Sequence, residues 1–89
     1  MKQIFKYPIP ISNKFLIELP KGATIIAAQV QHERLCLWAV VDIEENEKVL
    51  RTIRVIGTGN PFPDADSCVH ISTFQMDGGH LVFHLFEQN

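Results

Sequence analysis

The sequence predicts an all-β domain, a small antiparallel meander or sandwich-like fold of six to seven strands. Three observations predict it. Apolar and polar residues alternate with period two along several segments. Clusters of Gly, Pro, Asn and Asp separate those segments at short intervals. No stretch carries a helical apolar period. At 89 residues the chain is a single domain, 1–89.

The elements follow in order. "KQIFKY" (2–7) is an edge-like strand, closed by Pro8 and Pro10, which cannot donate to a ladder. "NKFLIEL" (13–19) alternates, with Phe15, Ile17 and Leu19 on one face. Pro20-Lys21-Gly22 is a turn. "ATIIAAQVQ" (23–31) has a helix former's alanines, but its β-branched residues favour strand. "RLCLWAVVD" (34–42) is almost wholly apolar, which predicts cover on both faces and a largely buried Trp38. "EENEK" (44–48) reads as a solvated hairpin loop, and "VLRTIRVIG" (49–57) as the returning strand. "SCVHISTFQM" (67–76) and "HLVFHLFE" (80–87) form a hairpin across a two-residue turn within Asp77-Gly78-Gly79.

Composition narrows the function classes. Net charge is −2, and the lysines and acids are scattered, which argues against duplex nucleic acid as a partner. Met1 leads straight into an alternating segment, so neither a signal peptide nor a membrane span is expected. Cys36 and Cys68 match no zinc spacing and read as thiols of a reducing cytosol. Hydrophobic residues make up 46% and charged residues only 20% of a chain too short to bury them all. Association, as a homo-oligomer, is the expected remedy.

Four histidines raise the question of a metal. His80 and His84 are four apart. On a strand that separation is about 13 Å, at ~3.3 Å per residue. Ligands of one zinc lie only ~2 Å from it. No metal or cofactor is therefore expected.

The last hairpin sorts into two faces. His70, Ser72, Phe74, Met76, Leu81, Phe83 and Leu85 form the better core face. Val69, Ile71, Thr73, Gln75, His80, Val82, His84 and Phe86 form the other. That mixed face suits a subunit interface or binding surface, carried by His80, Val82, His84 and Phe86, or else a half-solvated exterior. Catalysis has little support. No serine or cysteine sits in a nucleophile elbow, and Asp64 and Asp66 lie in a Pro-rich loop, where aspartates usually form turns.

"RVIGTGNPFPDAD" (54–66) is the second candidate site. Arg54 would supply charge to an anion, and the amides around Gly57, Thr58 and Gly59 could form a nest. Asn60 belongs to the same loop, and Phe62 could cover a flat ring. The bland alternative is a stiff connection between two strands.

"KQIFKYPI", "ELPKGA", "CLWAVVD", "RTIRVIGTGNP" and "FQMDGGHLVFHLFE" resemble a family of short uncharacterised proteins encoded by bacteriophages and prophages. The resemblance runs through nearly the whole chain. It implies a phage accessory protein made in the host cytoplasm, and it carries over no catalytic residues. The combined expectation is a non-enzymatic binding module that antagonises host defence. It would sequester a small anionic, nucleotide-like ligand or occlude a host defence protein. The alternatives are a structural or assembly protein of the virion and, more distantly, a hydrolase built on Asp64, Asp66 and histidines.

Overall fold

The computed structural model describes residues 1–89 and is a two-sheet β-sandwich, 41 × 31 × 16 Å. Seven strands form it: β1 (Lys2–Pro8), β2 (Lys14–Pro20), β3 (Thr24–Gln31), β4 (Arg34–Asp42), β5 (Lys48–Gly57), β6 (Cys68–Met76) and β7 (Leu81–Gln88). The only helical pieces are two three-residue 3-10 turns, Ala65–Ser67 and Asp77–Gly79. No helix is long and apolar enough to cross a membrane.

One sheet has the order β1-β4-β3 and the other β2-β5-β7-β6, and every pairing is antiparallel. Two connections depart from the sequence reading, those over 44–48 and between β6 and β7. The 44–48 loop is not a hairpin, because β4 and β5 lie in different sheets. β5 and β6 are not neighbours, because β7 inserts between them. And the β6–β7 connection holds four residues, Asp77–His80, since Met76 is paired with Leu81.

The core fills the space between the sheets. Leu35, Leu37, Ala39 and Val41 point inward from β4 and meet Leu19, Ile53, Val55, Phe74 and Leu85 from the other sheet. Alternation in β4 therefore turns Trp38 outward, where it is half-buried, flanked by Lys6 and Ala27 on the adjoining strands. The expectation that both faces of β4 are covered holds fully for its inner face; on the outer face Cys36 is buried and Trp38, Val40 and Asp42 are partly covered. A half-buried ion pair ties the layers together at one end. Arg51 donates from Nη2 to Glu87 Oε1 at 2.8 Å, from Nε to Glu87 Oε2, and from Nη1 to the Ala23 carbonyl at 2.8 Å. The Glu87 hydrogen bond holds the guanidinium pKa above its ordinary value.

Only 14 residues are buried, so much apolar surface stays outside. Ile4, Leu16 and Leu50 are each about 60% exposed, and all three lie on or beside a sheet edge.

Candidate functional site

The site begins with a topological necessity. β5 and β6 both run antiparallel to β7, so they are parallel to each other. β5 ends opposite Phe83, near the start of β7, and β6 begins opposite Gln88, near its end. Residues 58–67 must therefore travel the length of β7 across the outer face of the four-stranded sheet. Pro61-Phe62-Pro63 keeps this strap extended.

The root of the strap is a tight turn, with Asn60 N–H donating to the Gly57 carbonyl at 3.1 Å. Gly59 takes φ +87°, which disfavours any residue with a Cβ. A Cβ on Gly57 would stand 2.9 Å from the Asn60 side-chain nitrogen. The glycines thus let the chain leave β5 and fold back at once. Thr58 N–H donates to the Val82 carbonyl at 3.1 Å, so it prolongs the β5–β7 ladder by one residue.

Along the strap, Phe62 lies against Phe86 edge-on, with ring centroids 4.9 Å apart. His70 meets the same Phe86 ring at 5.2 Å, also edge-on. The Arg54 guanidinium lies 5.5 Å from the Phe62 centroid and is ion-paired with Asp64. Its Nε is buried without a partner, as is Gln88 Oε1. The strap is closed by Ser67, whose N–H and hydroxyl both donate to the Asp64 carbonyl.

A polar chain crosses the same face. Thr58 Oγ1 and His84 Nε2 are 2.7 Å apart, His84 Nδ1 and Thr73 Oγ1 are 2.9 Å apart, and Thr73 Oγ1 and His70 Nε2 are 2.9 Å apart. Thr58 Oγ1 also reaches the Val82 carbonyl at 3.3 Å. A carbonyl only accepts, so the Thr58 hydroxyl donates to it and accepts from His84 Nε2–H. His84 Nδ1 then accepts from Thr73, and Thr73 accepts from His70 Nε2–H. One self-consistent set of neutral tautomers satisfies all four contacts. No three His, Cys, Asp or Glu side chains converge as a metal set would.

The two candidate sites read from the sequence meet in one place. Gly57, Thr58 and Asn60 share a groove of about 330 Å³ with His80 and Val82. Arg54 and Asn60 line a second groove of about 350 Å³ on the other side of the strap's root. Phe62 of the strap packs on Phe86 of the sheet, and His84 meets Thr58 at the strap's root. Several assignments change. His80 is not on the strand face; it sits in the β6–β7 turn, highly exposed, 3.7 Å from the Asp77 carboxylate. The amides of Thr58 and Asn60 are engaged by carbonyls, and Arg54 by Asp64. His70, assigned by alternation to the core face, is on the outer face. The ladder slips at Ile71, between His70 and Ser72, and a one-residue bulge reverses the facing of everything before it. Thr73 and Asp64 join the site as the linker of the two imidazoles and the counter-ion of Arg54. An isoleucine within a strand gives no sign of a bulge, so alternation alone could not bring His70 here.

A family described as "Domain of unknown function (DUF7352)" matches residues 1–89. The chain belongs to that family. No curated protein and no solved structure matches it. The roles of the site residues therefore rest on the geometry above.

Proposed function

We propose that the chain is a non-enzymatic binding module of bacteriophage or prophage origin, acting in the host cytoplasm by occluding a host defence protein. The observation that carries this reading is the outer face of the four-stranded sheet. There Phe62, Phe86, Arg54 and His70 pack into one cluster beside the Thr58–His84–Thr73–His70 chain. Aromatic and arginine anchors within a polar surround are the composition of a protein-recognition patch. Exposed Leu16 and Leu50 extend the same face across β2 and β5.

A protein surface suits this face better than a small anionic, nucleotide-like ligand. Arg54 is already neutralised by Asp64, and at the strap's root the Thr58 and Asn60 amides on either side of Gly59 serve backbone carbonyls, which breaks up the nest. An anion would have to displace a carboxylate that the strap holds in position. Affinity capture from host extract, with mass spectrometry of both proteins and small molecules, tests the reading. Wild type and Ile4→Glu, on the opposite sheet, are expected to retain the same host protein. Thr73→Lys, at the exposed centre of the site, is expected to lose it. A co-purifying nucleotide, or retention indifferent to Thr73→Lys, would overturn it.

A further inference from the structure

The strand edges of the two sheets are not equivalent. β3 and β6 lie side by side, with Gln29 Nε2 3.4 Å from Ser72 Oγ. β1 and β2 each keep one unpaired edge. On β2 the free backbone groups can be assigned. Just before the strand, the Asn13 carbonyl accepts from Val55 N–H at 3.0 Å; just after it, Lys21 N–H donates to the Glu47 carbonyl at 2.9 Å. In an antiparallel ladder each residue turns both of its backbone groups to one side, and successive residues alternate. Phe15, Ile17 and Leu19 therefore bond to β5, whereas Lys14, Leu16 and Glu18 turn N–H and C=O to the free edge. Their side chains share the outer face, where Leu16 is 59% exposed.

We propose that β2 pairs antiparallel with β2 of a second copy of this chain, about a twofold axis at Leu16. In that register Lys14 stands opposite Glu18 of the partner subunit, and Glu18 opposite Lys14 of the partner subunit. Leu16 meets its own counterpart. Opposite charges directly across a ladder stabilise it, and like charges oppose it. The other registers open to the same backbone groups are weaker: an axis at Phe15 or Ile17 sets Leu16 against Lys14 or Glu18 and forms neither the Lys14–Glu18 pairs nor the Leu16 contact. An axis at Lys14 or Glu18 puts like charges face to face. The Glu18 register also sets Leu16 against Pro20, which has no N–H to give.

The competing edge offers no self-pairing with matched opposite charges. On β1 the Met1 carbonyl accepts from Ile43 N–H, so Lys2, Ile4 and Lys6 turn outward by the same alternation. A twofold axis at Ile4 then sets lysine against lysine on both sides. Pairing β1 with β2 of another copy is heterologous and leaves free edges at both ends. On β2 itself, the Ser12 hydroxyl donates to the Lys14 carbonyl at 3.3 Å, and this leaves that oxygen a second lone pair.

The pairing makes one eight-stranded sheet with both recognition faces on the same side. Five strand spacings of ~4.8 Å, with an offset of four residues at ~3.3 Å each along the strands, put the two Phe86 clusters about 27 Å apart. The inference stands apart from the proposed function, because its test needs no partner protein.

Sedimentation velocity of the purified full chain, across micromolar concentrations, reads it directly. Wild type is expected to dimerise. Lys14→Glu alone and Glu18→Lys alone each turn two attractive pairs repulsive and are expected to weaken the dimer about tenfold or more. An equimolar mixture of these two variants is expected to recover dimer, because every cross-strand pair becomes complementary again. The double variant Lys14→Glu/Glu18→Lys is expected to self-associate like wild type. Leu16→Lys, also at an exposed position, provides a disruptive variant if either charge change impairs folding. A monomeric wild type at hundreds of micromolar, or a dimer indifferent to these substitutions and their mixture, would overturn the pairing.

Discussion

Truncating Phe62 to alanine should undock the strap from the sheet. Phe62 is half-buried, and a fully buried phenylalanine contributes roughly 1.5–3 kcal/mol, so about half of that is lost with its transfer. The edge-on contact with Phe86 adds about 0.5–1.5 kcal/mol, and the Arg54 contact about 0.5–1 kcal/mol. Together the loss is about 2–4 kcal/mol. For a domain of this size that corresponds to a fall in Tm of about 10–30 °C. The assay is urea unfolding followed by the single tryptophan, Trp38, on wild type, Phe62→Ala, Phe86→Ala and the double variant. The coupling energy of that cycle isolates the ring–ring contact and should be about 0.5–1.5 kcal/mol. Zero coupling, together with a Phe62→Ala cost below about 0.5 kcal/mol, would mean that the strap does not pack on β7 at all.

Three further outcomes are expected. Glu87→Ala leaves the Arg51 guanidinium facing the sheet interior with only the Ala23 carbonyl and should cost about 2–3 kcal/mol by urea unfolding. That is below the ~3–5 kcal/mol of a fully buried pair, because both side chains keep a fifth to a quarter of their exposure. Asp42 accepts from Glu44 N–H at 3.0 Å, and this bond holds its pKa below the usual carboxylate value. A lowered carboxyl stabilises the fold above its unfolded pKa and loses that contribution as pH falls through the folded value. The stability gap between wild type and Asp42→Asn should therefore close as pH falls below the ordinary carboxylate range, which acid titration of both by circular dichroism checks. Trp38→Ala should cost about 1–2 kcal/mol rather than the ~3–5 kcal/mol of a buried aromatic, and native Trp38 emission should be intermediate and partly quenchable by iodide.

The strands were legible because their signals are local. Alternation in "NKFLIEL", the apolar run of β4 and the Asp77–Gly79 turn each depend on a few neighbouring residues. What joins them is not local. Nothing between Gly57 and Cys68 says that β7, still unread, will slide between β5 and β6. Without that insertion residues 58–67 look like a loop, and Arg54 looks free to hold an anion. With it the loop becomes a strap, and Asp64 is brought back over Arg54. The turn between β3 and β4 was also silent, since His32 and Glu33 both adopt positive φ without the Asn or Gly that such turns favour. The histidine chain needed both the insertion and the Ile71 bulge. The residues themselves were found, but their meeting was not.

Site-specific photo-crosslinking in host extract tests the central claim most directly. A photoreactive residue is placed at Thr73 or Gln75, on the outer face of the four-stranded sheet, and at Ile4 or Val40, on the outer face of the other. If the strap-covered face is the recognition surface, Thr73 and Gln75 should capture one and the same host protein. Ile4 and Val40 should not capture it, and adding Phe62→Ala should sharply reduce the yield from Thr73 and Gln75. Capture of that protein from Ile4 or Val40, or no capture from Thr73 and Gln75, would contradict the account.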